Sequence, residues 1–273
     1  MRVERAPAKL NLVLQVGARR PDGLHELCSL FAALELHDEL RAEPADADEV
    51  VCPGVDGPNL VTRALDAFRT HAPSPPLRVT IDKRIPVAAG LGGGSADAAA
   101  ALRAANALAS DPLPTDALRR IAATVGADVP SQVEPRHALV TGAGERVEPL
   151  DLPDMTFVLA PSPRGLATAD VYAEADRIGA TRARLDPDTL RTLAESPLPA
   201  LAAALENDLE PAALSLRPEL AATREALLDA GALAARVTGS GPTVFGVFAD
   251  RQTAEAAAAG LPGAIVTGLR GRP

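Results

Sequence analysis

Pro86-Val87-Ala88-Ala89-Gly90-Leu91-Gly92-Gly93-Gly94-Ser95-Ala96 is the stretch from which the fold of this chain is read. Leu77 to Ile81, just before it, reads as a strand, and an alanine-rich helix is predicted from Ser95 to Ala109. Four glycines in the five positions 90–94 let the backbone turn tightly, so that amide N–H groups converge on one point. Ser95 stands where a helix N-cap is expected, and the helix behind it adds unpaired N–H donors and a partial positive charge. Such a site favours an anion, above all a phosphate. The plainer alternative is a glycine-rich turn that only joins strand to helix.

Spacing excludes the two commonest phosphate loops. A P-loop needs Lys and then Ser or Thr after its last glycine, whereas Gly94 is followed by Ser95 and Ala96. A dinucleotide fingerprint places Gly or Ala where Ser95 falls, and it opens a fold near its first strand.

Composition bounds the rest. A chain of 273 residues makes one large or two moderate domains. Apolar content of 47% supports real cores, but with 2% aromatic residues and no Trp they must be built from Leu, Val, Ile and Ala. A net charge of −9 argues against wrapping a nucleic-acid backbone, so an anionic ligand needs a local site. Met1 to Leu10 lacks the apolar core of a signal peptide, and no segment runs to eighteen apolar residues, so neither export nor a membrane partner is expected. Cys28 and Cys52 have no metal-ligand or redox spacing, which fits a cytoplasmic setting. Of 27 basic residues only Lys9 and Lys83 are lysine. A coding bias toward Arg explains the excess, and against it a retained Lys draws notice, because Arg cannot replace its compact ammonium.

Strands are predicted at Ala8 to Val16, Leu27 to Leu36, Glu39 to Glu43, Leu77 to Ile81, Phe157 to Ala160 and Ala264 to Leu269, with two more pieces in Arg236 to Phe248. Helices are predicted at Asn59 to His71, Ser95 to Ala109, Thr115 to Thr124 (with Thr115 as cap), Asp170 to Ile178, Pro218 to Ala230 and Thr253 to Ala259. Arg184 to Pro199 reads as loop with short helices. There is no internal repeat, and strands mixed with helices without regular βαβ alternation give an α+β class.

Pro7-Ala8-Lys9-Leu10-Asn11-Leu12, the glycine loop, and Val237-Thr238-Gly239-Ser240-Gly241-Pro242 resemble, in order, the three motifs of the GHMP small-molecule kinases. Arg20 to Glu26, Gly126 to Pro130 and Asn207 to Glu210 narrow the resemblance to one branch of that family, over essentially the whole chain. The resemblance implies a two-domain GHMP-kinase fold. Residues 1–150 would form a ribosomal-protein-S5-domain-2-like βαβ domain carrying the ATP-binding loop, residues 151–273 a ferredoxin-like domain, and the active site would lie between them. It implies transfer of the ATP γ-phosphoryl group, with Mg²⁺, to a hydroxyl of a small cytidine-diphosphate-linked polyol.

Site residues follow position by position. Asp128 matches the family's catalytic carboxylate, which would accept the proton of the attacking alcohol; from the segment alone, a helix or turn cap is as good a reading. Lys9 matches the lysine beside that carboxylate, where an ammonium would keep it ionised, the alternative being a solvated Lys on an edge strand. Asn11, two residues on, shares a strand face with Lys9. His25 matches a histidine at the cytosine ring, Tyr172 an aromatic residue stacking on that base, and Thr168 a neighbouring contact. Leu24 is a departure, since the family commonly has Tyr there, so the base would lie between an aromatic and an aliphatic face. Residues Pro86 to Ala96 and Asn59 are placed on ATP, and Gly239 and Ser240 on the acceptor. Ser95 can touch a phosphate or its Mg²⁺; Asp97 suits the helix dipole but would repel phosphate unless turned away. No carboxylate cage for the metal is visible. Two alternatives stand beside this reading, another kinase of the family and a non-catalytic nucleotide-binding protein on the same scaffold.

Overall fold

The computed structural model describes residues 1–55 and 59–271. β1 (Arg2–Arg19) and β2 (His25–Pro44) form one long antiparallel hairpin, from Arg2 opposite Ala42 to Arg19 opposite His25. The tight turn takes Gly23 at φ +87°, and Asp22 accepts a hydrogen bond from the Leu24 amide. Leu27 to Leu36 and Glu39 to Glu43, predicted as separate strands, are one continuous β2, which an irregular register between Pro7 and Lys9 accommodates.

β3 (Glu49–Val51), α1 (Leu60–Arg69) and β4 (Leu77–Asp82) make a βαβ unit with its strands parallel. α2 (Gly93–Leu108), α3 (Thr115–Val125), α4 (Val129–Val133), β5 (Ala138–Gly142) and β6 (Arg146–Pro149) complete the first half. The second half runs β7 (Thr156–Ala160), α5 (Thr168–Ile178), α6 (Pro187–Ala194), α7 (Leu198–Ala203), β8 (Glu206–Asn207) and α8 (Glu210–Leu216). It closes with α9 (Glu219–Asp229), β9 (Ala234–Val237), β10 (Val244–Phe248), α10 (Arg251–Ala259) and β11 (Ile265–Gly268). The first sheet has the order β3-β4-β2-β1-β8, with β5 pairing β2 and β6, and the second has β11-β7-β10-β9. The second sheet is antiparallel throughout. With α9 and α10 as the helices packed on it, it has the ferredoxin-like order, and the α+β class holds.

The scarcity of aromatics shows in the packing. α2 buries Ala98, Ala99, Ala100, Ala101, Leu102 and Ala105, and these small side chains let the helix lie close on β1 and α1. Phe68 of α1 fills the largest space in that core, and Phe157 meets Phe245 edge-on at 6.2 Å in the second. β8 pairs in parallel with β1 through Val13 and Leu14, tying the second half of the chain to the first sheet. Among the described residues no helix is long and apolar enough to cross a membrane.

Two cap expectations fail. The N-cap of α2 is Gly92, in the left-handed region at φ +71°, so the helix begins at Gly93 and Ser95 is its third residue. Glycine can adopt that conformation where Ser would be strained, which moves the helix start two residues back. α3 is capped by Pro114, with no side-chain cap bond, leaving Thr115 as its first residue.

Candidate active site

The three motifs meet at one point because glycine leaves room for them. The Lys9 amide of β1 donates to the Leu91 carbonyl of the glycine loop at 3.0 Å. A Cβ on Gly92 would stand 2.9 Å from Lys9 Cγ, and one on Gly239 (φ +56°) would stand 3.1 Å from Asn11 Oδ1. Asn207 holds the third motif in place: its amide donates to the carbonyls of Val237 at 2.7 Å and Gly239 at 2.8 Å, and its Oδ1 accepts from the Leu209 amide. Glu210 adds an acceptor for the Val237 amide.

Lys9 is buried on an interior strand, not solvated on an edge. Its Nζ lies 2.7 Å from Asn11 Oδ1, 3.3 Å from Asp128 Oδ2 and 4.7 Å from the centre of the Phe31 ring. The Asn11 amide nitrogen donates to Ser29 Oγ at 2.9 Å, and Ser29 donates to the Val13 carbonyl, so the Asn11 oxygen is turned to the ammonium. Asp128 occupies the N-cap position of α4 but makes no side-chain cap bond. Its carboxylate is left for Lys9, and its side chain is 36% exposed, open to a second partner.

Two cavities adjoin here. One of about 630 Å³ holds Lys9, Asn11, Asp128, His25, Tyr172 and Leu24. The other, of about 470 Å³, is walled by Asn59 and by the loop from Pro86 to Ser95. They share Gly90, Gly92, Ser95 and Thr168 as a waist. The first backbone bond of α2 runs from the Ala96 amide to the Gly92 carbonyl at 2.9 Å. The amides of Gly93, Gly94 and Ser95 precede it and are the donors a helix start leaves free. Ala96 itself is wholly buried, away from both cavities. Asn59 caps α1 through its Oδ1, which accepts from Val61, and still faces the smaller cavity.

In the larger cavity His25 packs against Tyr172 with ring centres 5.0 Å apart and planes 31° apart, and Leu24 is half exposed at the rim. Burial, and then the nearby Asp128 charge, holds the Tyr172 phenol well above its usual range, so it stays neutral. Thr168 and Ser240 share a hydrogen bond at 3.0 Å between their hydroxyls at the waist.

Asp97 lines the smaller cavity beside the loop, with Lys83 held against Gly93 between them. It pairs with Lys83 at 2.8 Å, and Lys83 also reaches Asp38, whose other oxygen accepts from the amides of Arg84 and Ile85. Burial raises the Asp97 carboxyl to about 7, against the pull of Lys83. The Asp97 Oδ1 is buried without a partner among the described residues.

Among the described residues no group of three His, Cys, Asp or Glu could hold a metal. Asn207, Ser29 and Phe31 were not singled out from sequence. For Ser29 a polar residue within the apolar run Leu27 to Phe31 is the available signal, whereas Asn207 stands among Glu206, Asp208 and Glu210 and offers none of that kind.

The chain matches the models of the GHMP kinases N terminal domain over residues 59–134 and of the GHMP kinases C terminal over residues 189–265. It is 44% identical over 264 residues to a 4-diphosphocytidyl-2-C-methyl-D-erythritol kinase of Streptomyces coelicolor, covering 92% of this chain and 88% of that one. It is 46% identical to the protein of that name from Nocardia farcinica, covering 96% and 90%. The crystal structure of a 4-(cytidine 5'-diphospho)-2C-methyl-D-erythritol kinase superposes with a TM-score of 0.83 at 35% identity, covering 99% of this chain and all of that one. A homoserine kinase of Cytophaga hutchinsonii, at 19% identity and a TM-score of 0.69, shares the fold.

Proposed function

The chain belongs to the GHMP kinases, within them to the family of the 4-diphosphocytidyl-2-C-methyl-D-erythritol kinases, and from that premise we propose how its two cavities divide the reaction. The γ-phosphoryl group of ATP passes to the 2-hydroxyl of 4-diphosphocytidyl-2-C-methyl-D-erythritol, giving the 2-phosphate and ADP, a step of non-mevalonate isoprenoid precursor synthesis. ATP occupies the smaller cavity, with its phosphates on the free amides of Gly93, Gly94 and Ser95. The acceptor occupies the larger one, its base between Tyr172 and Leu24 beside His25, and its polyol at the waist near Asn11, Thr168, Gly239 and Ser240.

Asp128 accepts the hydroxyl proton as the new P–O bond forms, and ADP leaves with the electrons of the broken bond. Lys9 pairs with that carboxylate and offsets charge on the transferring group. The observation that carries this reading is the 3.3 Å contact of Lys9 Nζ with Asp128 Oδ2 in the acceptor cavity beside the waist. Mg²⁺ would be carried in on the nucleotide and would supply charge neutralisation during transfer. The Ser95 hydroxyl lies at the waist without a side-chain hydrogen bond among the described residues and would be its protein ligand. We further read the two sheets as two domains divided near Leu150, and the setting as cytoplasmic.

A panel of acceptors tests the substrate. Diphosphocytidyl-methylerythritol should support ADP release while homoserine and mevalonate do not; turnover of either of those alone would move the chain to another branch of the family.

A further inference from the structure

His25 is held from two sides by one helix. Tyr172 and Asp176 lie one turn apart on α5, so both face the same side of it. Tyr172 packs its ring on the imidazole, and Asp176 Oδ1 lies 2.8 Å from His25 Nε2. His25 is 7% exposed and Asp176 far more open, and both line the larger cavity. An ionised carboxylate only accepts, so Nε2 must carry the hydrogen. In a neutral imidazole the other nitrogen, Nδ1, is then an acceptor. Among the described residues Nδ1 makes no hydrogen bond, and it is not among the buried polar atoms left without one, so it is open to the cavity.

We propose that Asp176 is a positioning residue that fixes the tautomer of His25, so that the base slot prefers a pyrimidine presenting an N–H donor over one presenting a carbonyl. Cytosine, with its exocyclic amine, is of the first kind, and uracil is of the second. The inference rests on the reading that the larger cavity takes a cytidine-diphosphate-linked acceptor. A site built to pair with a donor rejects the analogue that offers an acceptor, because two lone pairs then face each other without a proton.

The test is calorimetric binding of CDP and UDP to the wild type, Asp176→Asn and Asp176→Ala, with kcat and KM for the acceptor and ATP binding as the check on folding. The wild type should favour CDP by about tenfold or more. Asparagine still bonds to Nε2, but as donor or as acceptor, so it no longer imposes one tautomer. Asp176→Asn should therefore cut the CDP-to-UDP ratio about tenfold while ATP binding is kept, and Asp176→Ala should raise KM about tenfold with a much smaller loss in kcat. A side chain that merely packs His25 would let Asp176→Asn keep the wild-type ratio, and that result overturns the proposal. Wild-type protein that binds neither nucleotide, yet phosphorylates another alcohol, would instead remove the functional reading and the inference with it.

Discussion

A Cβ placed on Gly90 would stand 2.5 Å from the carbonyl oxygen of Gly241, so the second and third motifs touch through backbone alone. Gly90 also sits at φ +77°, where an L side chain is strained. Gly90→Ala therefore meets both a clash and an unfavourable dihedral. It should cost about 1–3 kcal/mol of strain, read as a lower thermal midpoint together with weaker ATP binding. Unchanged stability and ATP affinity would mean that this contact is not needed.

Asn207 satisfies two carbonyls of the third motif with one amide group, in a buried position. Asn207→Ala strands both, at about 1–3 kcal/mol for each buried acceptor left unpaired. Chemical denaturation should show a loss of that order, with a fall in kcat/KM as Gly239 moves from Asn11. Asn207→Asp offers no donor to either carbonyl and should do no better.

Much of the fold was legible before any coordinates. Helices from Asn59, Thr115 and Asp170 and the strand at Leu77 fall within a residue or two of α1, α3, α5 and β4, because apolar spacing there has one period. β5, β6, α4 and α8 escaped, being segments of 4 to 7 residues, too short to show a period. The order of the three motifs could be read, but not the distances between them, which depend on glycine conformations set by tertiary contact. The same dependence hid the true start of α2. Asp176 carried no signal at all, since an acid on an exposed helix face is ordinary until His25, from the other half of the chain, lies against it.

Leu24 and Tyr172 line the same cavity, and in the acceptor site proposed above Leu24 would give the base an aliphatic face. Leu24→Tyr should strengthen acceptor binding, since an aromatic face on a nucleobase is worth roughly 1–3 kcal/mol relative to none and Leu already supplies part of it. The expected result is a KM several-fold lower with kcat nearly unchanged. A raised KM would place the base elsewhere.

Asp97 makes stability depend on pH. Its carboxyl is raised from 3.8 to about 7 by burial, against Lys83, so the folded protein binds this proton more tightly than the unfolded chain does. The resulting stability is full below about 3.8 and is lost as pH rises to about 7. Asp97→Asn removes that titration. Unfolding free energies measured at pH 5 and pH 8 should therefore show the variant gaining on the wild type as pH rises, at up to roughly 1.4 kcal/mol per pH unit below 7. Parallel curves for the two proteins would contradict the shift.

The pairing of Lys9 with Asp128 is tested most directly by ADP release from Mg·ATP with diphosphocytidyl-methylerythritol, comparing the wild type with Asp128→Asn, while ATP binding is measured on both. Asparagine keeps the shape and cannot take the proton. Retained ATP binding and a kcat lower by about 10²- to 10⁴-fold are expected. Turnover by Asp128→Asn within a few-fold of the wild type would contradict this and leave Asp128 no part in the chemistry.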